Sequence, residues 1–168
     1  MPMSDYVRAL RAKVGNDLLL VPTVSIFAFD DVGRVLLVRD AQSALWTSPG
    51  GMVEPDEAPA TAAVREMWEE AGVHVELTHL VGVFGGPGHT ITYDNGDRIA
   101  WISTVFGARP IRGQARPDGV ETTETGWFTR DEVRTLDCRS HMRTTLAAAY
   151  AWKGGALFDP PAWQPPSA

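Results

Sequence analysis

Gly51-Met52-Val53-Glu54-Pro55-Asp56-Glu57 is followed, seven residues later, by Arg65-Glu66-Met67-Trp68-Glu69-Glu70-Ala71-Gly72-Val73. Pro59 suits the first turn of a helix and Gly72 its end, so the stretch predicts a helix over Pro59–Ala71. At about 3.6 residues per turn, Glu66, Glu69 and Glu70 stand at i, i+3 and i+4 and share one face. Ala60, Val64, Met67 and Ala71 form a roughly opposite apolar face, which would dock on a sheet and leave the acids towards a cleft. Like charges at this spacing cost a helix a few tenths of a kcal/mol per pair, roughly, and divalent cations would offset that. Hard oxygen ligands in this number suit Mg²⁺, or Mn²⁺, which shares its shell with phosphate oxygens of a substrate. A solvated acidic helix face has the same spacing, so spacing alone does not choose between the two.

Working outward, residues 21–29 are apolar and β-branched, residues 30–33 read as a turn, and residues 34–39 continue as a second strand, so the two are expected to pair. Val7, Leu10 and Val14 recur at helical spacing before Gly15 and predict a short N-terminal helix. Trp46-Thr47-Ser48-Pro49-Gly50-Gly51 reads as a rigid loop ahead of the central helix. Beyond that helix, residues 73–84 read as a strand and residues 85–88 as a mobile glycine-rich loop. Residues 90–93 and 98–106 flank Asn95-Gly96, a strong hairpin signal. Residues 109–125 read as a loop before Trp127-Phe128, Thr129 and Glu132 have capping-box spacing, and residues 141–152 read as a last helix. The chain is read as one domain over residues 1–158 with a proline-rich tail over 159–168.

Composition narrows the function. With 44% hydrophobic and 21% charged residues among 168, the chain resembles a water-soluble globular protein, and no apolar run reaches the roughly 18 residues a membrane span needs. Asp5 near the start and the lack of an apolar signal core give the expectation of a cytoplasmic protein with no membrane partner. A lone cysteine, Cys138, allows no intrachain disulfide and reads as a small buried residue. The net charge of −6, without a basic run, argues against a nucleic acid polymer. A small phosphorylated, nucleotide-like substrate remains, provided that bound cations reverse the local sign.

The whole string resembles the Nudix box, G-x5-E-x7-R-E-U-x-E-E-x-G-U with U apolar, at Gly51, Glu57, Arg65, Glu66, Met67, Glu69, Glu70, Gly72 and Val73. A match at all these positions would arise by chance in roughly one chain of this size in a million. The resemblance extends over about residues 21–132 and implies an α/β fold, a Nudix-type α/β/α sandwich with a mixed, partly antiparallel β-sheet. Two departures stand out: relatives commonly carry glycine at Asp56 and a hydroxyl residue at Ala58, so the helix is expected to lack its side-chain cap. Ser48 also replaces an expected apolar residue.

By that resemblance, Glu66, Glu69 and Glu70 coordinate Mg²⁺, one of them assisting deprotonation of water, and the Gly50 carbonyl completes the shell. Arg65 holds a neighbouring glutamate, with Glu66 preferred, and Glu57 supports the loop-helix geometry, as Gly51 and Gly72 do. A further acid from the late loop is Glu121 in preference to Glu124, as ligand or general base. Arg98, Arg109, Arg112 and Arg116 are candidates for phosphate or sugar, His89 for the substrate, and Tyr93 and Trp101 for stacking a base.

The implied reaction is hydrolysis of a diphosphate linkage in a nucleoside diphosphate derivative. Pro87, about fifteen residues past the box, leans towards ADP-ribose or another nucleotide sugar. Cleavage of a nucleoside triphosphate in a pool-sanitising role is the alternative. Outside enzymes, a nucleotide-sensing Nudix-like domain would be expected to lose box acids that this chain keeps. An isoprenyl diphosphate isomerase of the same fold would want an early cysteine, and Cys138 is late. Dimers are frequent among similar enzymes, so a homodimer is compatible with the resemblance.

Overall fold

The structure is a computed structural model that describes residues 4–159 and Trp163; the expected tail lies mostly outside the described residues. Among the described residues there are four helices, α1 (Asp5–Val14), α2 (Pro59–Ala71), α3 (Arg130–Thr135) and α4 (Ser140–Ala151). The strands are β1 (Leu19–Ala28), β2 (Val35–Asp40), β3 (Trp46–Thr47), β4 (Val73–Phe84), β5 (Thr90–Thr92), β6 (Arg98–Gly113) and β7 (Thr122–Phe128). Among the described residues no helix is long and apolar enough to cross a membrane.

Strand alternation builds the layers. Along β1, Val24, Ile26 and Ala28 face one core with Ala63 and Met67 of α2, while Phe27 faces a second core with Met142 and Leu146 of α4. Along β2, Leu36 and Val38 join the first core and Val35 and Leu37 the second. Side chains at successive strand positions point to opposite faces, so helices on both sides can each bury an apolar stripe. The result is the expected α/β sandwich with mixed pairing.

Three expectations change. Residues 21–29 and 34–39 do not form a ladder: β1 pairs parallel with β6, β2 pairs antiparallel with β3 and β7, and only an isolated bridge, Phe29 to Val35, links the first two. Short-range turn signals do not reveal that each strand finds better partners far along the chain. Residues 109–125 are not one loop, because β6 runs to Gly113, where it meets Val73, and β7 begins at Thr122. Its charged residues looked like loop, yet Glu124 sits opposite Arg39 in the β2–β7 ladder and pairs with it at 2.6 Å. The helix face also shifts: Ala62, Ala63, Met67 and Ala71 are buried, whereas Ala60 is exposed.

The ends of α2 follow from local chemistry. Gly72 caps it in the left-handed region at φ 67°, and its N–H donates to the Trp68 carbonyl at 3.0 Å. Asp56 takes φ 63°, the conformation that suits glycine, which accounts for the residue that relatives prefer there. Ala58 is the N-cap and its side chain makes no capping bond, as expected. At the other end of the chain, α3 has the full capping box of Thr129 and Glu132.

The helix α1 is anchored by buried Arg11. Its Nη1 donates to the carbonyls of Gly15 and Asp17 and its Nη2 to that of Arg98, while Nε lies 3.4 Å from Asp97 Oδ1. The hairpin turn before β6 is thereby held against α1, and Asn16 adds a bond to the Asn95 carbonyl. Replacing Ala58 by Ser supplies the missing acceptor to the first turn of α2, and thermal unfolding should show a gain of about 1 kcal/mol; an unchanged melting temperature would mean that the end of α2 does not limit stability.

Candidate active site

The loop 48–58 enters α2 under tight steric control. A Cβ on Gly50 would lie 2.2 Å from the Val24 carbonyl oxygen, so only glycine lets the loop lie on β1. The Ile26 N–H donates to the Pro49 carbonyl and the Val24 N–H to the Gly51 carbonyl, which makes the loop an extension of the sheet edge. From α2, Arg65 ties the loop to the helix. Its Nε and Nη2 donate to the Glu57 carboxylate at 2.9 Å each, Nη2 also to the Met52 carbonyl at 3.2 Å. Its Nη1 donates to Glu66 at 2.8 Å and to Glu69 at 3.0 Å. The Glu54 N–H donates back to Glu57, whose carboxyl the Arg65 hydrogen bonds hold below its ordinary range.

The acids of α2 are not equivalent. Glu66 and Glu70, one turn apart, are turned inwards and are 6% and 8% exposed, while the Glu69 side chain remains half exposed against Arg65. The expected common face of three acids towards a cleft is therefore split: Glu66 and Glu70 lie at the edge that also buries Met67. Burial pushes the Glu66 carboxyl up to about 7, against the pull of Arg65. Burial likewise raises Glu70 well above its ordinary value, although the Gly50 N–H donates to its Oε2 at 3.0 Å. Among the described residues, no three acids, histidines or cysteines already stand in a ready-made metal cage.

Glu121 faces these acids from across the cleft, and its carboxyl is raised chiefly by burial, with the charges of Asp118 and Glu69 adding to the effect. The loop 114–121 that carries it is braced rather than free to swing: Asp118 accepts the N–H groups of Val120, Glu121 and Thr122, and the Ala41 N–H donates to the Glu121 carbonyl. Thr122 Oγ1 donates to the Glu70 carbonyl at 2.8 Å, tying that loop to α2. Glu124 is committed to Arg39 instead.

Two cavities meet at Glu121. The smaller, about 180 Å³, lies between Glu70 and a wall that includes Tyr93, Trp101, Arg139 and His141. The larger, about 440 Å³, is bounded by Arg65, Glu66 and Glu69 on one side and by α1 and the 94–97 turn on the other.

A family model described as the NUDIX domain matches residues 19–149. The chain belongs to the Nudix family. A MutT-like protein of Streptomyces ambofaciens is 38% identical over 101 residues, 60% of this chain and 58% of its own length. A Bacillus subtilis protein provisionally named an 8-oxo-dGTP diphosphatase is 31% identical over 102 residues, 61% of this chain and 62% of its own. The solved MutT Nudix hydrolase from Burkholderia pseudomallei superposes with a TM-score of 0.65 at 25% identity, covering 77% of this chain and 98% of that one. The matches to the two curated relatives thus span less than two thirds of their length.

In this Nudix chain, α2 is the helix that carries the box residues, and Arg65 ties it to its entry loop through Glu57 and the Met52 carbonyl. The candidate arginines of the later sequence are elsewhere: Arg98, Arg109, Arg112 and Arg116 line neither cavity. Arg109 pairs with Glu76, and the Arg116 stem lies over Gly72. Pro87 borders a third cavity, away from the acids. Asp40, Arg139 and His141 on the wall of the smaller cavity were missed. They sit at the end of β2 and the start of α4, and no motif or periodicity links them; Arg139 Nη2 meets Asp40 at 3.2 Å.

The donor set fits a hard divalent cation. Glu66 and Glu70 are carboxylates whose ionised forms burial disfavours, and a cation held beside them, with half-exposed Glu69 as a further oxygen donor, would supply the missing compensation.

His141 packs edge-on against Trp101, and burial, with Arg139 adding to it, lowers its imidazole from 6.5 to about 4. The unfolded chain therefore binds the proton first as pH falls. Stability should be insensitive to this group above pH 6.5, fall between about 6.5 and 4, and level off below. The loss is about 1–2 kcal/mol once partial solvent screening is allowed for. Denaturant unfolding of wild type and His141→Asn across this range checks it: the variant should lose this part of the slope, and parallel curves would refute it.

Proposed function

We propose that the chain hydrolyses a diphosphate linkage in a nucleotide derivative with Mg²⁺, or Mn²⁺, as cofactor. The observation that carries this reading is the cleft in which the buried carboxylates of Glu66 and Glu70 face Glu121 while Arg65 holds Glu57, Glu66 and Glu69 in place. Glu66, Glu69 and Glu70 would hold the cation, with the Gly50 carbonyl as a further oxygen donor. When bound, the cation neutralises charge on the non-bridging phosphate oxygens. Glu121, from the braced loop, orients a water molecule and takes its proton as the water oxygen attacks phosphorus and the bridging P–O bond breaks. Arg65 is a positioning residue: one planar guanidinium spans three carboxylates, which a lysine ammonium could not do in the same geometry.

The smaller cavity suits a nucleobase. Tyr93, Trp101, Ile91 and Ile99 offer a flat apolar setting, and Arg139 and Asp40 offer a donor and an acceptor for the polar edge of the ring. A nucleotide sugar such as ADP-ribose is the reading carried over from the sequence. Nucleoside triphosphate cleavage is the second, favoured by the MutT-like and 8-oxo-dGTP diphosphatase names of relatives aligned over most of the domain.

Release of phosphate, after coupling to a phosphatase or pyrophosphatase, from nucleotide sugars, dinucleoside polyphosphates and nucleoside triphosphates tests the reading. Activity should require added Mg²⁺ and vanish with a chelator. Glu69→Gln and Glu70→Gln should each lower kcat on the order of 10²-fold, as should Glu121→Gln. Metal-independent turnover, or full activity in all three variants, would overturn the mechanism.

A further inference from the structure

Helix α2 covers only part of its face of the β1–β6–β4 sheet and leaves one end bare. Along β1, Val24, Ile26 and Ala28 pack against α2, and Leu20 and Pro22, at the same alternation, point the same way beyond its reach. Their register partners on β6 are Ala100 and Ile102, and on β4 Val83 stands opposite Thr104 and Leu80 opposite Phe106. Leu157 bridges Gly82 in parallel, so Phe158 follows it onto this face beside Val83. Leu20 is 66% exposed, Ile102 45% and Phe158 75%, and Pro22, Val83 and Leu80 are exposed as well.

The exposed side chains present roughly 600 Å² of apolar surface, the upper end of what a monomer leaves uncovered, against ~800 Å² per partner in a stable complex. None of these residues is ionisable, although the chain carries a net charge of −6. Nucleic acid and anionic lipid both need Lys or Arg against their phosphates, and this face offers neither. A second copy of the chain fits it: uncharged surface meets uncharged surface, and no carboxylate loses its water. Two copies of one sheet also share the same hand of twist, and such sheets stack face to face at about 10 Å with interdigitated side chains. β6 is the middle strand, so the free surface is a broad face rather than an edge. On the reverse of the sheet Val21, Ile99 and Trp101 line the smaller cavity, and a partner seated on the bare face stays out of it.

We infer that this bare end of the sheet is the contact face of a homodimer, in which two copies pack sheet against sheet about a two-fold axis. Ile102 of the middle strand lies at the centre of the contact, with Leu20 and Phe158 towards its flanks. Dimerisation across this face is independent of the reaction catalysed and is measured without substrate.

Sedimentation velocity of the full chain, from nanomolar to high micromolar concentration, should show a monomer–dimer equilibrium. Each substitution enters a two-fold interface from both copies, so its effect counts twice. Leu20→Glu brings a like charge from each copy into the apolar contact and should weaken the dimer Kd at least about tenfold. Ile102→Thr keeps a β-branched residue in the strand and should weaken it about threefold or more. Val32→Asp, in the exposed turn at the far end of β1, should leave Kd unchanged. Circular dichroism of each variant should match wild type; if Leu20→Glu unfolds, Ile102→Thr decides. A wild type that stays monomeric throughout overturns the inference, and flotation of that monomer with phosphatidylcholine vesicles would assign the face to lipid instead. A dimer whose Kd is unchanged in both Leu20→Glu and Ile102→Thr overturns it too, because the contact then lies elsewhere.

Discussion

The guanidinium of Arg65 joins the loop 48–58 to the helix that follows it. It donates to Glu57 at the start of the helix, to the Met52 carbonyl in the loop, and to Glu66 and Glu69 on the helix surface. Without it, several carboxylates would crowd together beside a glycine-rich segment with no side-chain capping bond at Ala58. Half-buried charge-assisted bonds of this kind are stronger than neutral ones, and the planar fork gives them direction as well as strength. The position of Glu66 at the cleft therefore depends on an interaction made by the preceding residue.

The cost of this arrangement is visible in the acids themselves. Glu66 and Glu70 are turned to the buried edge of α2, where their charged forms lose hydration, and Glu121 approaches from another element with the same burden. Such groups are tolerated because the rest of the domain is packed on both sides of β1 and β2, with Ile26 and Leu36 in one core and Phe27 and Leu37 in the other. A rigid two-sided core can hold an unfavourable cluster at its margin, and unfavourable clusters of carboxylates are where a bound cation has most to contribute.

Loops and added elements set the shape around that cluster. Tyr93 and Trp101 come from the β5–β6 hairpin, Arg139 and His141 from the start of α4, and Val7 from α1. The acids lie on the helix matched by the family model, while α1 precedes the matched residues. Chemistry and selectivity can thus be supplied by different parts of the chain, linked through Glu121 and Tyr93, which border both cavities.

Much of this could be read from local sequence. The bounds of α2 followed from Pro59 and Gly72, the hairpin turn from Asn95-Gly96, and the capping box from Thr129 and Glu132, because each depends on backbone chemistry within a few residues. The box residues identified the family and α/β class for the same reason: their spacing is set within one loop and one helix. What lay beyond reach was set by partners distant along the chain. Pairing of β1 with β6 rather than with β2, continuation of β6 to Gly113, and the meeting of Asp40 with Arg139 all need the folded sheet to bring the groups together. The inward turn of Glu66 and Glu70 belongs to the same class, since helical spacing puts Glu69 beside them and only packing against β1 and the Gly50 loop decides which carboxylates lose their water.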